Sequence, residues 1–136
     1  MIIKEFISQT NKNQMISILL KYYKVGSVKV KQKSMKDHAH FDVDRGTLEL
    51  STKYKVIKRN QIKEFLITII HEIRHAMDAK KYGWKKFKEI YEMEMNLLIQ
   101  KGKHQYKDNK YEIEAEKFGQ GIWKSWNRKF KKEGLI

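Results

Sequence analysis

The sequence predicts an α+β domain, a small and mainly antiparallel sheet packed on helices. Two patterns carry that prediction. Between residues 27 and 51, apolar and polar residues alternate in short runs broken by Arg45-Gly46, as in half-exposed strands joined by a hairpin. Outside that stretch, and above all from residue 60 to 132, apolar residues recur every three or four positions, the period of amphipathic helices. A chain of 136 residues forms one domain with a modest core and is too short for two ordinary ones.

In chain order, residues 13–23 have helical periodicity through Met15, Ile16, Leu19, Leu20 and Tyr23, with Gly26 as the stop. Residues 27–32 alternate Val and Lys as a half-exposed strand does. Residues 39–44 and 47–51 flank the Arg45-Gly46 turn. A long helix is expected over 60–82 with Gly83 ending it, and another over 85–100 with Phe87, Ile90, Tyr91, Leu97 and Leu98 on its apolar side. Residues 102–109 are polar and turn-like, and a last helix covers 111–132. No repeat or linker divides the chain, so residues 1–136 are read as one domain.

A hydrophobic content of 40%, with 16 aromatic residues, argues against disorder despite 34% charged residues. The absence of cysteine excludes disulfides and thiolate metal sites. The start, Met1-Ile-Ile-Lys-Glu-Phe, lacks the apolar core of a signal peptide, and no run approaches membrane-spanning length. A cytoplasmic, monomeric protein with no membrane association is expected. The net charge of +14, with 26 lysines among 30 basic residues, favours nucleic acid or acidic protein partners in a salt-sensitive way. Trp123 and Trp126 are interleaved with basic residues, but they share an apolar arc with Phe118 and Ile122, so core packing explains them better. No helix-turn-helix, zinc-finger or RNA-binding signature is present, and a solvated lysine-rich surface is the plainer account of the charge.

The chemistry is concentrated at His71-Glu-Ile-Arg-His75. On a helix, His71 and His75 stand one turn apart on one face, where two imidazoles grip a single metal ion. Glu72 lies beside them, placed to take a proton from metal-bound water. Ile62, Phe65, Leu66, Ile69, Ile70, Ile73 and Met77 form the apolar stripe of the same helix, and the histidines fall on the other side with Asp78. One face is thus expected in a core and the other along a cleft.

A third ligand is sought in Tyr111-Glu-Ile-Glu-Ala-Glu-Lys-Phe-Gly119. Glu112 and Glu116, one turn apart, border an apolar arc through Ala115, Phe118, Gly119, Ile122, Trp123, Trp126 and Phe130, whereas Glu114 points away. Carboxylates against a core need partners. Glu112 is therefore the expected third metal ligand and Glu116 the acceptor that orients a ligand histidine. The plain alternative, an acidic stripe in solvent, fits Glu114 well and the other two poorly. Asp78 is a candidate to hydrogen-bond a ligand histidine, to position an arginine, or to compete with Glu112 for the metal. His38, His40 and Asp42 read first as strand surface and only secondarily as another metal site.

HExxH on one helix, completed by a glutamate from a later helix, resembles the gluzincin metallopeptidases. The string Glu112-Ile-Glu-Ala115-Glu-Lys-Phe118-Gly is similar to a signature of ImmA/IrrE-type peptidases, and the small size is similar to that of the minigluzincins. The likeness spans about residues 38–119. Arg74 and Gly119 depart from the small residue and the alanine usual there, so the likeness is to the group rather than to one family in it. It implies a minimal zincin-like fold with one zinc ion per chain and hydrolysis of a protein or peptide substrate. His71, His75 and Glu112 would then hold the zinc, with Glu72 as general base. His104, Tyr106 and Tyr111, near the start of the glutamate helix, are candidates to stabilise the oxyanion, and residues 48–51 are a candidate edge for holding substrate as an added strand.

Overall fold

The computed structural model describes residues 5–136, so the reading of the first residues as lacking a signal sequence lies partly outside it. The chain runs β1 (Phe6–Ile7), α1 (Gln9–Tyr22), β2 (Lys29–Lys33), β3 (Ala39–Asp42), β4 (Thr47–Ser51), β5 (Ile57–Lys58), α2 (Ile62–Tyr82), α3 (Trp84–Gln100) and α4 (Lys110–Lys132). This is an α+β fold with a small, mostly antiparallel sheet system. Strands β3 and β4 form the expected hairpin, Phe41 opposite Leu48. Its turn is set by Asp42, whose Oδ1 accepts the backbone N–H groups of Asp44 and Arg45, and by Gly46 at φ +63°.

Two features of the sheet were not expected. Strand β2 pairs parallel to β4, and its order places β4 in the middle, β2-β4-β3. Residues 48–51 are therefore not an edge; β2 and β3 are the two edges, and β3 is the one that lines the cleft. Central strands are covered on both faces, and so is β4: Leu48 and Leu50 are buried on one face and Thr47 and Ser51 on the other. Strands β1 and β5 add a two-residue antiparallel pair.

Helix α2 is the spine of the core. Phe65, Leu66, Ile69, Ile70 and Ile73 are fully buried, each stabilising the fold by about 1.5–3 kcal/mol. They pack with Met15 and Leu19 of α1 and with Leu48, Leu50, Tyr54 and Ile57 beneath. Lys12 of α1 is buried as well, its Nζ donating to the carbonyls of Tyr54 (3.1 Å) and Lys55 (3.3 Å). Helix α4 lies along α2 through Ala115, Gly119, Trp126 and Phe130. Gly119 permits this close approach: a Cβ there would stand 2.9 Å from the Ile67 carbonyl oxygen. Helix α3 is held more lightly, with Phe87 and Leu98 as its buried residues. Its first residue, Trp84, covers the β3–β4 turn, and Lys88 bonds Asp44 at 2.9 Å. Among the described residues, no helix is long and apolar enough to cross a membrane.

Candidate metal centre

The apolar stripe of α2 turns His71, Glu72 and His75 away from the core and towards α4, where Asn109 caps the helix by accepting the Tyr111 N–H at 2.9 Å. Glu112 sits in the first turn of α4. His71 Nε2 and His75 Nε2 each lie 2.8 Å from its Oε1. The two rings stand 5.0 Å apart at 80°. Among the described residues, these are the only three His, Asp or Glu side chains whose ligand atoms gather within 4.8 Å of one another.

Partners on the far side fix the group. Glu116 Oε2 lies 3.0 Å from His71 Nδ1, and its other oxygen accepts from Gln120 Nε2 at 3.1 Å. Tyr91 of α3 donates its hydroxyl to Glu112 Oε2 at 2.5 Å. Tyr91 had been legible only as an apolar position, because helical periodicity carries no information about a hydroxyl. Glu114 is exposed and reaches Arg74 at 3.9 Å. Arg74 also bonds Asp78 at 3.4 Å and lies over the Phe118 ring, tying α2 to α4. Asp78 thus positions an arginine and neither bonds a ligand histidine nor joins the cluster.

Electrostatics separates the two carboxylates. Burial drives the Glu72 pKa upward, only partly offset by the charges of His75 and His71. Burial also pushes Glu112 up, but hydrogen bonds from His71 and His75, the His75 charge and the Tyr91 hydroxyl outweigh it and hold Glu112 well below the carboxylate range. For His71, burial favours the neutral ring, yet the Glu112 hydrogen bond and the charges of Glu72 and Glu112 raise its pKa to about 9.

The proton inventory fits a cation. His71 faces a carboxylate at each ring nitrogen, so without an ion it must be an imidazolium to satisfy both. A cation taking the Nε2 lone pair would leave the Nδ1 proton on Glu116, the usual arrangement behind a ligand histidine. His75 Nδ1 and Asp78 Oδ2 are both buried without a partner. Two imidazoles and a carboxylate are a donor set that zinc accepts.

The cluster lies in an open cleft of about 1380 Å³, walled by β3, α2, α3 and the start of α4. The three oxyanion candidates separate here. Tyr111 is buried against Phe87 and Tyr91 and does not line the cleft. Tyr106 and His104 both line it and both are exposed, so exposure does not separate them. His104 lines it with its Nδ1 accepting the backbone N–H groups of Tyr106 (3.1 Å) and Lys107 (3.0 Å). That assigns the His104 proton to Nε2 and makes it a donor. His38 and Asp42 do not join a second metal group: His38 faces Glu64 (3.2 Å) and Tyr54 (3.3 Å), and Asp42 is occupied by the turn. His40 lines the cleft near Glu72.

Compared with known proteins, the chain matches no protein family, no curated protein and no solved structure. Function therefore rests on the chemistry of the site.

Proposed function

We propose that the protein is a zinc-dependent metallopeptidase, hydrolysing peptide bonds in the cleft between β3 and α4. The observation that carries this reading is a buried Glu72 of raised pKa, with its Oε1 4.0 Å from His71 Nε2, beside the His71–His75–Glu112 group. His71, His75 and Glu112 would hold the ion, and Glu116 and Tyr91 would keep His71 and Glu112 in place. When bound, zinc supplies positive charge that lowers the pKa of water from about 15.7 towards about 7 and polarises a carbonyl.

Glu72 then acts as general base, taking the proton of the attacking water. Its raised pKa suits it to hold that proton and pass it to the leaving nitrogen. His104 Nε2–H is the donor we assign to the developing oxyanion. The unpaired edge of β3, which lines the cleft, would hold an extended substrate by main-chain hydrogen bonds, the role for which residues 48–51 are only a candidate from sequence. The likeness to gluzincins agrees with this reading.

The test is hydrolysis of fluorogenic casein by zinc-loaded wild type and Glu72→Gln. Loss of activity in the variant at unchanged zinc content is expected. Equal rates for the two proteins would overturn the assignment of Glu72.

A further inference from the structure

The charge of the chain is unevenly placed. Five lysines and eight carboxylates line the cleft, leaving it three charges negative with neutral histidines. The other 25 basic and 8 acidic residues therefore give the rest of the chain +17. The cleft is not where a polyanion is attracted.

Part of the excess lies on the second half of α4. From Lys124 to Lys132 this helix carries five basic residues and no acidic one. Lys124, Arg128 and Lys131, at i, i+4 and i+7, form one exposed stripe. Some lysines elsewhere find carboxylates, as Lys33 does with Glu49, Lys88 with Asp44 and Lys110 with Glu94. Among the described residues the stripe has no ion-pair partner, and Arg128 reaches only Ser125 of its own helix, at 3.5 Å. Beside the stripe, Lys129 Nζ lies 5.2 Å from the Trp126 ring, and Trp126 packs edge-on against Tyr22 at the end of α1. Lys80 Nζ bonds the Lys24 carbonyl at 2.6 Å, so two more exposed lysines meet at that end of α1.

Like charges one turn apart repel and weaken a helix. The helix dipole compensates lysines in the last turn, but it falls off before Lys124. The stripe is a standing repulsion that a dense polyanion relieves. A lipid surface fits poorly, because only Gly121 and Ser125 lie between the cations of the stripe, and the exposed Tyr22 on the Trp126 side is a single ring rather than an apolar face to insert. Duplex nucleic acid carries one charge per about 1.7 Å of axis, and the stripe spans about 10 Å of helix, enough to meet several phosphates. Trp126 is buried and Trp123 half-buried beneath Lys63, so neither offers a free face for base stacking.

We infer that the face made by Lys124, Arg128, Lys131 and Lys132 docks the sugar–phosphate backbone of nucleic acid without sequence preference. It uses no residue of the metal cluster and does not depend on the peptidase reading.

The experiment is a fluorescence-anisotropy titration of a labelled DNA duplex of about 20 base pairs, from about 50 to about 200 mM salt. Wild type is compared with the triple variant Lys124→Gln, Arg128→Gln, Lys131→Gln and with a control of equal charge, Lys29→Gln, Lys31→Gln, Lys33→Gln. Thermal melting establishes that all three proteins are folded. The stripe variant is expected to bind at least about tenfold more weakly and to lose about 3 from the log–log salt slope, and Arg128→Gln alone about 1. The control should keep most of the slope, and chelator should leave duplex affinity unchanged. Equal loss in both triple variants would mean diffuse charge and overturn the inference. So would no duplex binding at about 50 mM salt, binding abolished by chelator, or binding to phosphatidylserine vesicles without binding to duplex.

Discussion

The α2 wall and the α4 wall of the cleft each present a carboxylate to the same space, and they treat it in opposite ways. Glu72 on α2 is buried with little hydrogen bonding, and its proton is held more tightly than in water. Glu112 on α4 receives two imidazoles on one oxygen and a tyrosine on the other, and it stays ionised. Two copies of one residue type thereby become suited to different tasks, one to carry a proton and one to hold positive charge. Sequence spacing puts both near the histidines, but only the environment divides the labour.

Exchanging the carboxylate function on each wall should break the comparison most visibly. Glu72→Gln is expected to lower turnover by about 10²–10⁴-fold while metal content stays unchanged, measured by casein hydrolysis alongside elemental analysis. Glu112→Ala should do the reverse and lose the metal, with an affinity loss larger than the roughly 10–100-fold typical of removing an outer partner. Glu114→Ala should bind as wild type does, and equal retention by both variants would remove Glu112 from the ligand set. Tyr91→Phe and Glu116→Gln should each weaken zinc affinity by about 10–100-fold in a competition titration. Gly119→Ala sits at the bottom of the scale. Its Cβ meets the Ile67 carbonyl at 2.9 Å, and overpacking of about 1–3 kcal/mol is partly offset by about 1 kcal/mol of helix propensity. A small fall in melting temperature with weakened zinc binding is expected, because the two walls are pushed apart.

The pH dependence of the metal-free protein sharpens the same contrast. The pKa of His71 is raised from 6.5 to about 9, so its contribution is complete below 6.5 and lost as pH climbs through about 9. Glu112 is lowered from 4.5, so its contribution is present above 4.5 and lost as pH falls below that value. Metal-free protein should melt highest between these two limits. His71→Gln should flatten the alkaline decline. Zinc affinity should rise with pH towards about 9, since binding displaces the His71 proton.

Much of this was legible in the sequence because it is local. Periodicity gave α2 and α4 nearly to the residue, and helical projection separated Glu112 and Glu116 from Glu114. Two residues between the walls also act locally: Arg74 bridges them, and Gly119 lets them touch. What stayed hidden is non-local. The parallel pairing of β2 places β4 in the centre and leaves β2 and β3 as the edges, a matter of which strands meet rather than of any one strand's pattern. The β1–β5 pair, at two residues each, is too short to carry a period. Tyr91 is hidden for another reason, since a buried tyrosine and a buried phenylalanine leave the same trace until the hydroxyl is seen on Glu112.

The central claim, that the two walls close on one metal ion, is tested most directly by metal content. Elemental mass spectrometry would be run on protein purified without a histidine tag and supplied with zinc, for wild type, His71→Ala, Glu112→Ala and Glu114→Ala. The account predicts about one zinc per chain in wild type and Glu114→Ala, and loss in the other two. No zinc in the wild type, or equal zinc in all four proteins, would contradict it.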